Sequence, residues 1–357
     1  MRIRVSKPLI ESILINLQPF LEKKDASQIT SHIFVKAQNN TVTIKATDGE
    51  IGLVINSDNL IIEHEGTFTA NGKKFLDIIR ILKNEEIILE TLESNLNIKQ
   101  NKSKFKLPTF NPDNYPSFPA VEDKPQITLD SINLIKSLKK ISSAIDNNNP
   151  KFELNGALLD IKNSETKLVG TDTRRLSIST LQTQNEKEFS LIIPKKAILE
   201  IQKLFMDQIN IYYDDTNLII QNENHYFFSR LINGNYPDYG RIVPNLETTK
   251  INITLPKKEM LESIKMITTI SQEIKITFNE ESIIFNSLTA DNIEAKTELQ
   301  IHTGLNEPFE LNVNSRYLLD FIAQIEESEF QILLNEPTLP FVLKNKEFIT
   351  VIMPIIA

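Results

Sequence analysis

The chain has 357 residues, 47 acidic against 39 basic side chains, a formal net charge of -8, and neither cysteine nor tryptophan. That length suits two or three domains of ordinary size, and the missing thiols exclude a disulfide framework and a thiolate metal site. With 40% hydrophobic and 24% charged residues and no long block of one charge, the whole chain is expected to be globular, so the distribution of lysines must decide whether it binds nucleic acid.

In chain order, Arg2 to Ser6 has a strand pattern, and Pro8 to Phe20 a helical one with Ile10, Ile13, Leu14 and Leu17 on one face. The helical run is basic at its start but broken by Glu11, Ser12 and Asn16, unlike a signal peptide, and no apolar stretch is long enough for a membrane span. A cytoplasmic protein with no membrane partner is expected. Next come strand-like Gly66 to Ala70, a helical pattern from Gly72 to Leu82, and strands near Glu86 to Glu90 and Asn95 to Lys99.

The same order returns twice. Gln126 to Asp130 precedes a helical pattern from Ser131 to Ile145 striped by Leu134, Ile135, Leu138 and Ile141; Asn252 to Pro256 precedes one from Lys257 to Ile267 striped by Met260, Leu261, Ile264 and Ile267. Likewise Phe189 to Ile193 leads into the helix Pro194 to Phe205, and Phe309 to Val313 into Ser315 to Ile325. A repeat of this length is domain-sized. The spacing predicts an α+β protein of three tandem copies, each with two helices and two four-stranded halves. Breaks near Pro108 to Pro125 and Asn245 to Lys250 give domains 1–125, 126–248 and 249–357.

Lysines recur opposite the apolar stripes. Lys136, Lys139 and Lys140 share a helical face; Lys195, Lys196 and Lys203, Lys73, Lys74 and Arg80, and Lys257, Lys258 and Lys265 repeat the arrangement, interleaved with Asp77, Glu200 and Glu262. Lining one channel, such faces would meet a phosphate backbone without reading sequence.

Enzyme motifs are missing. Gly66 to Gly72 followed by Lys73 and Lys74 has the wrong glycine spacing for a phosphate loop and no Ser or Thr for Mg²⁺. His32, His64, His225 and His302 lack metal-ligand spacing, and no carboxylate pair marks an acid and a base, Asp48 and Asp172 following threonines at equivalent turns. No metal, cofactor or catalytic residue is expected.

Leu168 to Ser179 forms a strand, a polar turn and a second strand, with Arg174 and Arg175 at the turn; its first-domain counterpart, Thr47 to Gly52, carries Glu50 and Ile51 instead. Two guanidiniums beside Leu176 could hold a carboxylate or a backbone carbonyl at the rim of an apolar pocket.

Three stretches carry a family resemblance: Leu154 to Leu158 with Thr171 to Leu176, Asn233 to Pro244, and Val351 to Ala357. Over its whole length the chain resembles the bacterial DNA polymerase III beta subunits, the replicative sliding clamps. The resemblance implies three clamp domains, each of two helices packed on antiparallel sheets, in a head-to-tail homodimer closed into a ring around double-stranded DNA, with the polymerase III catalytic subunit, the clamp loader, other polymerases and repair proteins docking through short peptides. It implies a peptide pocket of Leu154, Thr171, Arg174, Arg175, Leu176, Pro237, Arg241, Ile242, Asn314, Tyr317, Val351, Met353 and Pro354. In that pocket Leu176, Ile242, Val351 and Met353 form the floor, and Arg175 and Arg241 hold the peptide backbone. For DNA it implies Lys24 and the loop with Asn148 and Phe152, joined by helix residues Lys73, Lys136, Lys140, Lys196, Lys203 and Lys258; for the dimer, Phe105 and Leu107 against Met266 and Ile267. The rival reading is a three-domain peptide-binding scaffold or an enzyme that does not encircle DNA. Thr173 stands where the family favours glycine, Arg174 where histidine is common, and the chain ends Ile355, Ile356, Ala357, so the shape of the pocket is this chain's own.

Overall fold

A computed structural model describes residues 1–127, 129–206, 208–288 and 294–356. The strand Arg2–Ser6 alternates and buries Ile3 and Val5, and the helix Lys7–Leu17 lays Ile10, Ile13, Leu14 and Leu17 on the core. The helix Gly72–Ile81 buries Phe75, Leu76 and Ile79, and Asn71 starts it by accepting a bond from the Lys74 amide at 3.0 Å. The stretch tested as a phosphate loop is therefore a strand turning into a capped helix. In the third copy the helix Lys257–Thr268 buries Met260, Ile264 and Ile267, and Ser315–Ile322 buries Leu318, Phe321 and Ile322. The second copy repeats the pair as Ser131–Ser142 and Lys195–Leu204.

The chain divides into two compact units, one of Met1–Ser131 with Lys203–Leu231, the other of Ile132–Gln202 with Ile232–Ala357. The first holds a five-stranded sheet and an eight-stranded sheet. In the larger sheet His225–Arg230 pairs antiparallel with Ile51–Ser57, so four strands of one repeat continue into four of the next. The second unit repeats this where Arg175–Gln182 pairs with Phe348–Ile352, and it also holds a four-stranded sheet. Alternation within each repeat gives its half-sheets, but it does not reveal that they fuse edge to edge with their neighbours. Fusion covers strand edges that would otherwise present unpaired amides and carbonyls.

One polar device appears in every copy. The Lys7 ammonium donates to the Leu82 carbonyl at 2.7 Å, that of Lys195 to Ile145 at 2.6 Å, and that of Lys257 to Ile325 at 2.5 Å. In each case a lysine opening one helix neutralises free carbonyls at the end of its partner, where a cation also favours the helix dipole. This corrects the reading of Lys195 and Lys257 as part of an outward basic face.

The segments following the two eight-stranded junctions lie on their sheets in matching ways. In the first unit the Phe110 ring stacks on His32 at 4.1 Å, and the Tyr115 hydroxyl donates to the His32 and Lys45 carbonyls at 3.2 and 3.3 Å. In the second, Tyr236 donates to the Val169 carbonyl at 3.3 Å and Tyr239 to Asp160 Oδ2 at 2.7 Å. Burial pushes the hydroxyl pKa up for Tyr115, Tyr236 and Tyr239 alike. These remain neutral donors.

Candidate functional site

The hairpin turn is built by its own side chains. Thr171 Oγ1 donates to the Arg175 carbonyl at 2.7 Å and accepts from the Thr173 amide at 3.1 Å, while Asp172 Oδ1 accepts from the Arg174 and Arg175 amides at 3.0 Å each. Thr47 and Asp48 make the same four bonds in the first repeat, to Ile51, Gly49 and Glu50, which accounts for both aspartates structurally. Both turns need a left-handed residue at the third position. Gly49 supplies it at φ 92°, whereas Thr173 is forced to φ 73°, a region that a β-branched side chain resists. Thr173→Gly is therefore expected to raise stability by roughly 0.5–1 kcal/mol, read as a higher denaturation midpoint, with the turn unchanged.

Arg174 stays exposed, and its carbonyl accepts the Met353 amide at 2.9 Å, which ties the turn to the C-terminal segment. Arg175 turns inward and is only 7% exposed. Its Nε donates to Asp172 at 3.1 Å and one terminal nitrogen to Asp320 at 2.7 Å, the other nitrogen reaches the Ser143 carbonyl, and the guanidinium lies 4.5 Å over the Tyr317 ring. This corrects the expectation of a free guanidinium at the rim. Arg175 instead joins the turn, the end of the helix Ser131–Ser142 and the helix Ser315–Ile322. Asp320 and Ser143 were not foreseen, because nothing in their local sequence marks them as partners of a residue so far away in the chain.

Leu176 and Val351 sit directly opposite each other in the fused sheet. Both belong to a buried cluster with Leu158, Val169, Ile178, Ile192, Ile232, Leu333 and Val342, on which Tyr236, Tyr239, Val243 and Leu246 pack. Beside this floor Ile242 and Met353 remain 43% and 41% exposed. Leu154 and Pro354 are buried and Pro237 half-buried. Asn314 is engaged as a helix cap, accepting the Arg316 amide at 3.0 Å. Arg241 is 87% exposed and pairs with Asp238 at 2.9 Å, so it can exchange that partner for a ligand at little cost.

The corresponding place in the first unit is closed. Gly52 stands where Leu176 does and Phe228 where Val351 does, and a Cβ on Gly52 would meet the Phe228 ring at 2.2 Å. Phe118 covers that ring edge-on at 4.9 Å. One seam is thus filled by its own aromatics, whereas the other presents aliphatic side chains.

Three family profiles match the chain end to end: the N-terminal, central and C-terminal domains of the DNA polymerase III beta subunit, at residues 1–119, 128–238 and 240–356. The chain belongs to the beta sliding clamp family. The Helicobacter pylori J99 beta sliding clamp is 39% identical, covering 99% of this chain and 100% of that protein. The crystal structure of the Helicobacter pylori beta clamp bound to a DNA ligase peptide superposes with a TM-score of 0.93 at 41% identity over both whole chains. The Pseudomonas aeruginosa DNA polymerase III subunit beta shares the fold, with a TM-score of 0.89 at 21% identity over both whole chains.

Within this clamp chain the other expected residues fall into distinct classes. Lys24, Lys73, Asn148, Phe152, Lys196, Lys203 and Lys258 are exposed, Asn148 on a loop organised by Asp146. Lys136 is exposed and lies 3.8 Å from Glu326. Lys140 departs from the expected outward face, because it is half-buried with its ammonium 5.7 Å over the Phe348 ring. Of the dimer residues, Met266 is 60% exposed and Phe105 half-buried. Leu107 and Ile267 are buried within the chain, 6% and 2% exposed, and offer little surface of their own, a departure from the expected exposed contact. Among the described residues no helix is long and apolar enough to cross a membrane.

Proposed function

We propose that this chain is one half of a cytoplasmic ring that encircles duplex DNA and tethers polymerases, the clamp loader and repair proteins, with no catalytic chemistry of its own. Its domains are taken as 1–125, 126–248 and 249–357. The single observation that carries the partner site is the contrast between the two fused seams: Ile242 and Met353 are exposed beside Leu176 and Val351, whereas Phe228 and Phe118 close the equivalent place. A peptide bringing a leucine or phenylalanine would cover that surface, and methionine adapts to several such partners. The DNA ligase peptide held by the Helicobacter pylori relative supports a ligand of this kind. The ring is supported by the repeat: each of two junctions fuses half-sheets, leaving Ser103–Pro108 at the edge of one terminal sheet and Lys296–Gln300 at the edge of the other. A second copy, head to tail, would cover both edges and close the assembly. Exposed lysines would then hold phosphates weakly and let the ring slide.

The test is topological. Loaded by a clamp loader and ATP onto nicked circular DNA, the protein should stay on the circle and run off once the DNA is linearised. Failure to load, or retention on linear DNA, would sink the reading.

A further inference from the structure

The turn that draws Arg175 inward leaves its neighbour outside. Arg174 and Arg316 are both exposed, and neither side chain has a hydrogen-bond or ion-pair partner among the described residues. Each is fixed at its backbone: the Arg174 amide donates to Asp172 Oδ1 and the Arg316 amide to the Asn314 side chain, at 3.0 Å in both cases. The C-terminal segment joins the two places. Met353 donates to the Arg174 carbonyl at 2.9 Å, and Ile355 donates at 2.8 Å to the carbonyl of Asn312, in the strand Phe309–Asn314 that leads to Arg316.

Tyr317 lies where these charges meet. Its hydroxyl pKa is pushed up, first by burial and then by Asp172, while Arg175, Arg174 and Arg316 pull it the other way. The acids at this edge are engaged within the fold. Asp172 and Asp320 hold the Arg175 guanidinium, and Asp146 accepts from the Asn147 amide at 2.6 Å and the Asn149 side chain at 3.0 Å. Lys195, which feels both Arg175 and Arg316, donates to the Ile145 carbonyl at 2.6 Å. What is left without a counter-charge is the pair Arg174 and Arg316.

Resting on the peptide site proposed above, we infer that this chain selects acidic peptides: a carboxylate beside the apolar anchor is held by Arg174 and Arg316. Arg316 is then a specificity-determining residue outside the pocket that the resemblance implies. An apolar side chain covering Ile242 and Met353 buries the same surface whatever its neighbour, so the anchor alone discriminates poorly among peptides. Charge at the rim discriminates well. A carboxylate matches the forked, weakly hydrated donors of a guanidinium, and two such groups stand here unpaired. A lysine in the same place would meet two like charges, so the rim rejects as well as selects. Arg241 differs, because Asp238 lies against it at 2.9 Å.

Labelled peptides that share one leucine and phenylalanine anchor and differ only in a flanking glutamate, glutamine or lysine, tried on each side of the anchor, test this by anisotropy with the full chain. The wild type should bind the better glutamate peptide about three- to tenfold more tightly than its glutamine twin at low salt, and the gap should narrow as salt rises. With Arg174→Gln and Arg316→Gln together the ratio should fall close to one, and Arg316→Glu should shift it toward the lysine peptide. Because the ratio is what is read, a general change in affinity does not imitate the effect. Equal binding of glutamate and glutamine peptides by the wild type, or a preference that survives loss of both arginines, overturns the selection and leaves the pocket standing. Failure of all the peptides to bind overturns the pocket itself. Short duplex DNA that displaces the glutamate peptide from the wild type, but displaces no peptide from the double variant, would give the two arginines to phosphate and overturn the inference as well.

Discussion

Truncating Ile242 and Met353 together to alanine is expected to weaken capture of a clamp-binding peptide about a hundredfold. Each side chain offers its exposed portion to a ligand, and burying such a group contributes roughly 1.5 kcal/mol, so losing two removes about 3 kcal/mol. The floor beneath them is already covered by neighbours within the fold, Leu176 and Val351 being buried. For that reason the truncations should alter binding far more than stability. Anisotropy of a labelled apolar peptide measures the first and denaturant unfolding the second. Unchanged affinity would remove Ile242 and Met353 from the site, and an equal loss for Lys24→Ala would mean that the assay reports something other than the pocket.

The second large effect lies in stability. Arg175→Ala leaves Asp320 and Asp172 without the cation they share, together with the Ser143 carbonyl. Breaking a buried, hydrogen-bonded charge pair costs about 3 kcal/mol, mostly through the carboxylate left behind. The loss should appear as a lower denaturation midpoint. Adding Asp320→Ala should return about 1 kcal/mol or more of it, because the stranded charge goes as well. Strict additivity of the two single substitutions would show that Arg175 and Asp320 act independently, contrary to the geometry. Peptide affinity should fall too, since Tyr317 is held beneath this guanidinium.

Much of this architecture was legible from periodicity. The helical stripes Ile10 to Leu17, Leu134 to Ile141 and Met260 to Ile267 face the core in all three copies, with Ile135 and Leu261 half-buried at the margin, because a 3.6-residue period leaves a helix one way to bury its apolar side. The turn at Thr171 was legible for the same local reason: Thr and Asp at its start bond to amides within four residues. What local pattern could not supply was partnership across the chain. Arg175 looked like a surface residue until Asp320 and Ser143 met it, and Lys140 looked like part of a basic face until Phe348 lay beneath it. Leu107 and Met266 make the same point for the dimer. An apolar residue on an edge strand or a helix end is equally consistent with core and with interface, and only burial separates the first from the second.

The fused sheets also bear on how the chain is made. Its first compact unit includes Lys203–Leu231, and the strand His225–Arg230 closes the bare edge of Ile51–Ser57. During synthesis that edge has no neighbour until roughly 170 further residues have been added, a delay of about ten to thirty seconds at ordinary rates of elongation. The nascent chain therefore waits with an open sheet, and the middle repeat, split between both units, is the last part of the first to arrive.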